Sequence, residues 1–114
     1  MRVIIAGSRT FKDFPRLRRV MEDFRHWGIT EVVCGCARGA DQLGAWWAKI
    51  NRIPVKQYPA DWEEYGRYAG VRRNHQMADN ADALIAFWDG KSRGTEHMID
   101  TARKHNLKIA VVIV

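Results

Sequence analysis

The chain has 114 residues, of which 46% are hydrophobic and 28% are charged. This length fits a single domain, and this composition supports a hydrophobic core and argues against disorder. The sequence has no apolar run near the roughly 20 residues that a membrane helix needs, and it begins without a signal-peptide pattern. We therefore expect one cytoplasmic domain over residues 1–114. The formal net charge of +6 favours an anionic partner, either a nucleotide or a nucleic acid.

Short apolar runs alternate with amphipathic segments along the whole chain. The first helix has the clearest boundaries, because Asp13 can cap it, Pro15 suits its first turn and Gly28 can end it. In chain order, the pattern predicts a strand at residues 2–8, a helix at 13–28, a strand at 30–35, a helix at 39–51, a strand at 54–60, a helix at 65–80, a strand at 81–88, a helix at 94–106 and a strand at 107–114.

Strand–helix units that repeat and end on a final strand are typical of an α/β fold. The first, fourth and fifth strands are apolar at consecutive positions, which predicts burial on both faces, as in a parallel sheet covered by helices. We therefore predict a Rossmann-like three-layer α/β/α domain whose five-stranded parallel sheet has the order 3-2-1-4-5. In such sheets ligands bind beyond the carboxyl ends of the strands, between strands one and four.

Glycine, arginine and hydroxyl residues follow three of these strands at the carboxyl edge. Glycine lets a backbone approach an anion, helix N-termini carry free N–H groups, and arginine binds phosphate through paired hydrogen bonds. Singly, each motif is equally typical of a turn or a helix cap. Their presence at one edge favours a phosphate-binding crevice, although the spacing matches neither the dinucleotide-binding nor the P-loop signature. The residues of these three loops that we expect to contact the ligand are Gly7, Ser8, Arg9, Gly35, Arg38, Gly39, Ala40, Asp41, Trp88, Ser92, Arg93, Gly94 and Thr95.

The segment before the fourth strand adds Arg72 and Arg73, which are placed to reach the same crevice, unless the two arginines belong to a solvated basic face. The adjacent Asn74 favours a specific role. Cys34 and Cys36 are two residues apart and would point to opposite faces of a strand, which disfavours a disulfide between them. His75 has no second histidine or cysteine at a metal-ligand spacing. We expect no metal ion and no cofactor.

The motifs GSR, GCARGAD, RRNHQM and SRGT together resemble the YspA-like branch of the SLOG superfamily, over about residues 2–113. That superfamily includes the Smf DNA-processing proteins, the "lonely guy" phosphoribohydrolases and nucleotide-sensing domains of bacterial defence proteins. The resemblance implies a single SLOG-type, Rossmann-like domain with a nucleotide-derived ligand. Position by position it implies binding roles for Gly7, Ser8, Arg9, Gly35, Arg38, Gly39, Ala40, Asp41, Arg73, Asn74, Ser92, Arg93, Gly94 and Thr95.

The chain departs from the motif of the enzymatic relatives, because it lacks their proline, their doubled glycine and their glutamate. Those relatives carry P-G-G-x-G-T-x-x-E, in which a glutamate three residues after the threonine serves hydrolysis of an N-glycosidic bond. Here Met98 occupies that place and Glu96 follows Thr95 directly. Two residues turn a helix by roughly 200°, so Glu96 cannot replace the missing acid. This departure weighs against phosphoribohydrolase activity.

These observations leave three functions to compare. The leading hypothesis is a domain that binds a phosphorylated nucleoside of the ADP-ribose or cyclic nucleotide type, for sensing or sequestration. Trp88 or Tyr68 would stack on the base, with Trp62 as a further candidate. The alternatives are a nucleotide hydrolase that uses Asp41, Asp89 or Glu96, and a protein that binds DNA or RNA through its positive charge.

Trp46 and Trp47 are adjacent in the second helix, so one narrow stripe cannot bury both. One of them is therefore expected at a rim or against a partner subunit. We predict a homo-oligomer with the second helix in its interface.

Overall fold

The computed structural model describes residues 1–114. Two short 3₁₀ turns, Arg25–Trp27 and Gly66–Tyr68, accompany the regular elements. The strands and helices are β1 Arg2–Gly7, α1 Phe14–Asp23, β2 Glu31–Cys34, α2 Ala40–Ile50, β3 Val55–Gln57, α3 Trp62–Tyr65, α4 Ala69–Asp79, β4 Ala83–Trp88, α5 Arg93–Lys104 and β5 Lys108–Ile113.

The five strands form one parallel sheet in the order β3-β2-β1-β4-β5, which confirms the predicted topology. β1 and β4 lie side by side at its centre, with Ile4 opposite Leu84 and Gly7 opposite Phe87. From β1 the chain continues to β2 and β3 on one side of the sheet and then crosses to β4 and β5 on the other side. The carboxyl ends of β1 and β4 therefore border the crevice where ligands of such folds bind.

Two apolar layers sandwich the sheet. On one face Ile5 and Phe87 pack with Leu17 of α1 and Trp47 of α2, and on the other face Ile4 packs with Met77 of α4. The central strands are buried over residues 3–6 and 83–87 because both layers cover them, as the consecutive apolar residues predicted. No helix of the chain is long and apolar enough to cross a membrane.

Caps fix the helix ends as the sequence indicated for α1. The backbone N–H of Arg16 donates to the Asp13 carboxylate at 3.1 Å, and Pro15 lies in the first turn. The predicted first helix is nevertheless shorter than expected, because it ends at Asp23 and a 3₁₀ turn then runs to Gly28 in the left-handed conformation.

Two sequence expectations are wrong. β5 was expected to be buried on both faces, but it lies at the sheet edge, where Val111 is 39% and Ile113 61% exposed. The single helix expected over residues 65–80 is divided, because Gly66 has a positive φ of 54° and interrupts the helical path between α3 and α4.

Candidate functional site

A cleft of about 530 Å³ opens at the carboxyl ends of β1 and β4, between α4 and the start of α5. Most of the residues that the sequence indicated lie along it. Arg67, His97 and Trp62 also line the cleft, and sequence reasoning gave the first two no role. The predicted residues in its wall are Gly7, Arg9, Asp41, Arg73, Asn74, Ser92, Arg93, Gly94 and Thr95.

The remaining predicted residues lie around this cleft rather than in it. Gly35 and Arg38 line a neighbouring depression, which shares Arg9 and Arg73 with the cleft. Ser8 and Ala40 are buried beneath the loops. These two residues therefore support the site without lining it.

Ser8 joins the three loops of the crevice. Its carbonyl accepts from the N–H groups of Phe11 at 3.1 Å and Ala40 at 3.3 Å, which ties the loop after β1 to the start of α2. Its hydroxyl accepts from the N–H of Asp89 and contacts the Ser92 hydroxyl, both at 3.1 Å. One buried residue, through its carbonyl and its hydroxyl, thus fixes the position of the α5 loop relative to both other loops.

The start of α5 leaves backbone donors free. The Ser92 hydroxyl is directed to Ser8 and Asp89 and does not cap its own helix. Consequently the N–H groups of Arg93, Gly94 and Thr95 have no partner within the chain. Nothing lies within 4 Å of where a Cβ on Gly94 would stand, so this helix end is open. Such an end attracts an anion.

Asp89 stabilises the turn that leads into α5. Its carboxylate accepts from the N–H groups of Lys91 and Ser92, both at 2.8 Å. These hydrogen bonds lower the pKa of Asp89 to about 2, with the Ser92 and Ser8 hydroxyls contributing less. Asp89 therefore stays ionised and turned toward its own loop, which makes it a structural rather than a reactive group.

Asp41 is the buried acid of the cleft, with 5% of its surface exposed. Burial raises the pKa of Asp41 to about 6, although Arg73 and the N–H groups of Ala37 and Gly7 oppose that shift. The guanidinium of Arg73 also donates to the Gly35 carbonyl, so it is held beside the carboxylate. Asp41 can therefore accept hydrogen bonds or exchange a proton near neutral pH.

Gly35 makes room for this pair. A Cβ at Gly35 would stand 2.8 Å from the Asp41 carboxylate and 2.9 Å from the Arg73 guanidinium. The glycine that the sequence indicated as a ligand contact therefore acts as a spacer between these two side chains.

Asn74 and His97 connect the walls formed by α4 and α5. The Asn74 amide nitrogen and His97 Nδ1 are 2.9 Å apart, while the Asn74 oxygen accepts from Arg73 Nε at 3.1 Å. Burial, and secondly the charge of His75, lower the pKa of His97, so its neutral form is favoured. Helical spacing could have indicated His97, because it stands four residues after Arg93 and shares that face of α5.

The aromatic side chain that lines the cleft is neither of the two that the sequence favoured for stacking. Trp88 lies outside the cleft because its indole Nε1 donates to the Ser92 carbonyl at 3.1 Å and its ring packs against the core. Tyr68 is 70% exposed and does not line the cleft either. Trp62, at the start of α3, does line it and is the ring available for stacking.

The family follows from comparison with known proteins. A family model described as YAcAr (YspA, cpYpsA-related SLOG family) matches residues 1–65, which is more than half of the chain. The chain belongs to this YAcAr family. The predicted resemblance to the YspA-like SLOG branch is thereby confirmed, and the matched segment carries Arg9, Arg38 and Asp41.

Similarity to a phage protein extends beyond the segment that the family model matches and covers nearly the whole chain. The Gene 61 protein of Mycobacterium phage D29 is 38% identical over 117 aligned residues. The alignment spans 95% of this chain and 93% of the phage protein. It therefore extends past residue 65, where the family model ends, toward the α4 and α5 walls.

The YAcAr chain has no acid where the phosphoribohydrolase relatives place their glutamate. Met98 stands there, 2% exposed, and packs in the core. Glu96 is exposed and does not line the cleft. Among the ionisable side chains in the wall, Asp41 is thus the acid with its pKa closest to neutrality. No group of three or more His, Cys, Asp or Glu side chains is placed to hold a metal ion.

Proposed function

We propose that this protein binds a phosphorylated nucleoside, of the ADP-ribose or cyclic nucleotide class, in the cleft between α4 and α5, for sensing or sequestration. The observation that carries the proposal is the set of unpaired N–H groups of Arg93, Gly94 and Thr95 at the open start of α5. They face a cleft that Arg9 and Arg93 also line. Membership of the SLOG superfamily supports a nucleotide-related role.

The phosphate would lie at the start of α5. Backbone N–H groups there donate to its oxygens, and the partial positive charge of the helix end favours its negative charge. The exposed guanidinium groups of Arg9 and Arg93 approach from either side and add charge-assisted hydrogen bonds. The Ser92 hydroxyl is already hydrogen-bonded to Ser8 and Asp89, so it leaves the N–H groups of the helix start available to the phosphate.

The nucleoside would lie along the rest of the cleft. Asp41 is placed to accept hydrogen bonds from ribose hydroxyls at its buried end. The Trp62 ring, 52% exposed, offers a stacking surface for a base, and Val71 and Met77 add apolar contact. This division into a polar phosphate end and an apolar base end matches the chemistry of a nucleotide.

Native mass spectrometry of the protein purified from cells tests the proposal, followed by a thermal-shift and calorimetric screen of NAD-derived and cyclic nucleotides. We expect Arg93→Ala to weaken the best ligand by at least about tenfold, because a charged hydrogen bond contributes about 1.5–3 kcal/mol. Arg103→Ala, which removes an exposed arginine at the far end of α5, should leave the affinity unchanged. A screen in which no nucleotide co-purifies or shifts the melting temperature would refute the proposal.

A second candidate function, hydrolysis of an N-glycosidic bond, is favoured by one observation. Asp41 has a pKa of about 6 and lies beside Arg73 in the cleft. A carboxylate tuned in this way can take a proton from the water that adds to the anomeric carbon as the base leaves. Incubation with nucleoside 5′-monophosphates, followed by chromatography for free base, tests this reaction. Turnover that Asp41→Asn abolishes would establish it, and intact substrate after prolonged incubation would reject it.

A further inference from the structure

A second depression of about 500 Å³ adjoins the cleft on the other side of Arg9. Arg9 and Lys12 reach it from the loop after β1, and Arg38 reaches it from the loop before α2. All three side chains are exposed, none forms an ion pair, and no acidic residue lines the depression. By contrast, Arg2 and Arg103 are each paired with an aspartate.

The loops that carry these cations are held in fixed positions. The Ser8 carbonyl accepts from Phe11 on one loop and from Ala40 at the end of the other. Gly39 allows this approach, since a Cβ there would collide with the Ser8 carbonyl, and its φ of +78° suits glycine. The depression is therefore bordered by a rigid backbone, and Ser8 fixes its position relative to the start of α5 as well.

We infer that this depression is a second anion subsite, so that the ligand carries two separated phosphate groups, one at the start of α5 and one among Arg9, Lys12 and Arg38. The inference rests on the proposed function and selects, among phosphorylated nucleosides, a nucleoside bisphosphate or a dinucleotide instead of a cyclic mononucleotide. Lys12 and Arg38 do not line the α5 cleft, so a phosphate held there leaves both of them without a partner.

Electrostatics supports this assignment. Like charges brought together by fixed loops repel one another, and a bound dianion converts that repulsion into attraction. Arg9 lines both depressions and can contact either phosphate, so it links the two subsites. Two subsites on one rigid frame bind a two-phosphate ligand more tightly than a monophosphate, because the second contact is intramolecular.

Inorganic phosphate is the first probe, followed through the backbone amide resonances of the protein. We expect saturable shifts at two places, residues 93–95 and residues 39–42, and Lys12→Ala should remove only the second set. Shifts at residues 93–95 alone would overturn the inference and leave the proposed function standing. Shifts at residues 39–42 alone would refute the phosphate site at the start of α5 and with it the two-phosphate ligand, and no shifts at either place would refute both subsites.

Adenosine 3′,5′-bisphosphate and adenosine 5′-monophosphate are the second pair of probes, compared by calorimetry. The bisphosphate should bind at least about tenfold more tightly, and Lys12→Ala should remove that advantage while leaving the monophosphate affinity unchanged. Arg19→Ala, which removes one exposed positive charge from α1, is the control for net charge and should retain the advantage. Equal affinities of the wild-type protein for both nucleotides would overturn the inference.

Discussion

Two carboxyl groups of the site respond to their surroundings in opposite directions. Burial raises the pKa of Asp41 to about 6, whereas backbone hydrogen bonds lower that of Asp89 to about 2. The contribution of Asp89 to stability is therefore present above its ordinary value of 3.8 and is lost as the pH falls toward 2. For Asp41 the sign is reversed, because the folded protein binds its proton more tightly than the unfolded chain does.

Asp41→Asn tests this assignment through the pH dependence of unfolding. In the wild-type protein the Asp41 contribution should increase as the pH falls from about 6 to about 4, by on the order of 3 kcal/mol in the free energy of unfolding. The variant cannot take up that proton and should lose the increase. Urea denaturation at half-unit pH steps measures it, with Asp23→Asn, an exposed carboxylate at the end of α1, as the control. If the pH dependence of the unfolding free energy were the same in Asp41→Asn as in the wild-type protein, the Asp41 carboxyl would be shown to be solvated.

At the scale of secondary structure, the geometry of the site depends on how closely the α2 loop approaches β1. Gly39→Ala should destabilise the protein by at least about 3 kcal/mol, since a Cβ would collide with the Ser8 carbonyl in addition to the cost of a positive φ. Gly90→Ala is the matched comparison: its φ of +79° is nearly the same, but nothing lies within 4 Å of a Cβ there. Its cost should be only about 1–2 kcal/mol. Equal losses in thermal denaturation would mean that the α2 loop can move aside.

The sequence was sufficient to predict the order of the elements and the edge at which the site lies. Consecutive apolar residues and right-handed connections determine the parallel sheet, and glycine-rich loops can follow its strands only at the carboxyl edge. The exposure of β5 was missed because an edge strand and a central strand have similar apolar runs. The direction of the Trp88 ring depends on its hydrogen bond to Ser92, a contact that local pattern does not encode.

At the scale of the whole molecule, the outer face of α2 carries apolar surface. Trp47 is 1% exposed and packs in the core, whereas Trp46 is 51% and Ile50 55% exposed. One tryptophan of the adjacent pair is therefore buried and the other is not, as the helical pattern required. Trp46 and Ile50 stand four residues apart on one face of the helix, so they form a patch of the kind that meets a partner.

We predict that the protein self-associates through this face of α2. Trp46→Glu should convert the oligomer to a monomer, because burying a carboxylate in an apolar interface is unfavourable. Trp62→Ala, which removes an equally exposed tryptophan at the cleft, should leave the oligomer intact. Light scattering at micromolar concentration measures both, and a monomeric wild-type protein would contradict the prediction.

The distribution of charge favours a small nucleotide over a polynucleotide as the ligand. The net charge is +6, yet Arg2, Arg25 and Arg103 are paired with acids, and on α4 Arg72 lies over the Tyr65 ring while Arg73 donates to Gly35. The cations left beside the cleft all line it or the depression that adjoins it, and they are Arg9, Lys12, Arg38, Arg67 and Arg93. We therefore expect affinity for the nucleotide to fall by less than about tenfold between 50 and 200 mM salt, whereas a protein that contacts 6–10 phosphates of DNA loses about 10³–10⁵-fold.

Calorimetry at several salt concentrations measures the slope of affinity against salt, with a single-stranded oligonucleotide as the comparison ligand. Tighter binding of the oligonucleotide with a steep slope would identify a nucleic-acid-binding protein instead.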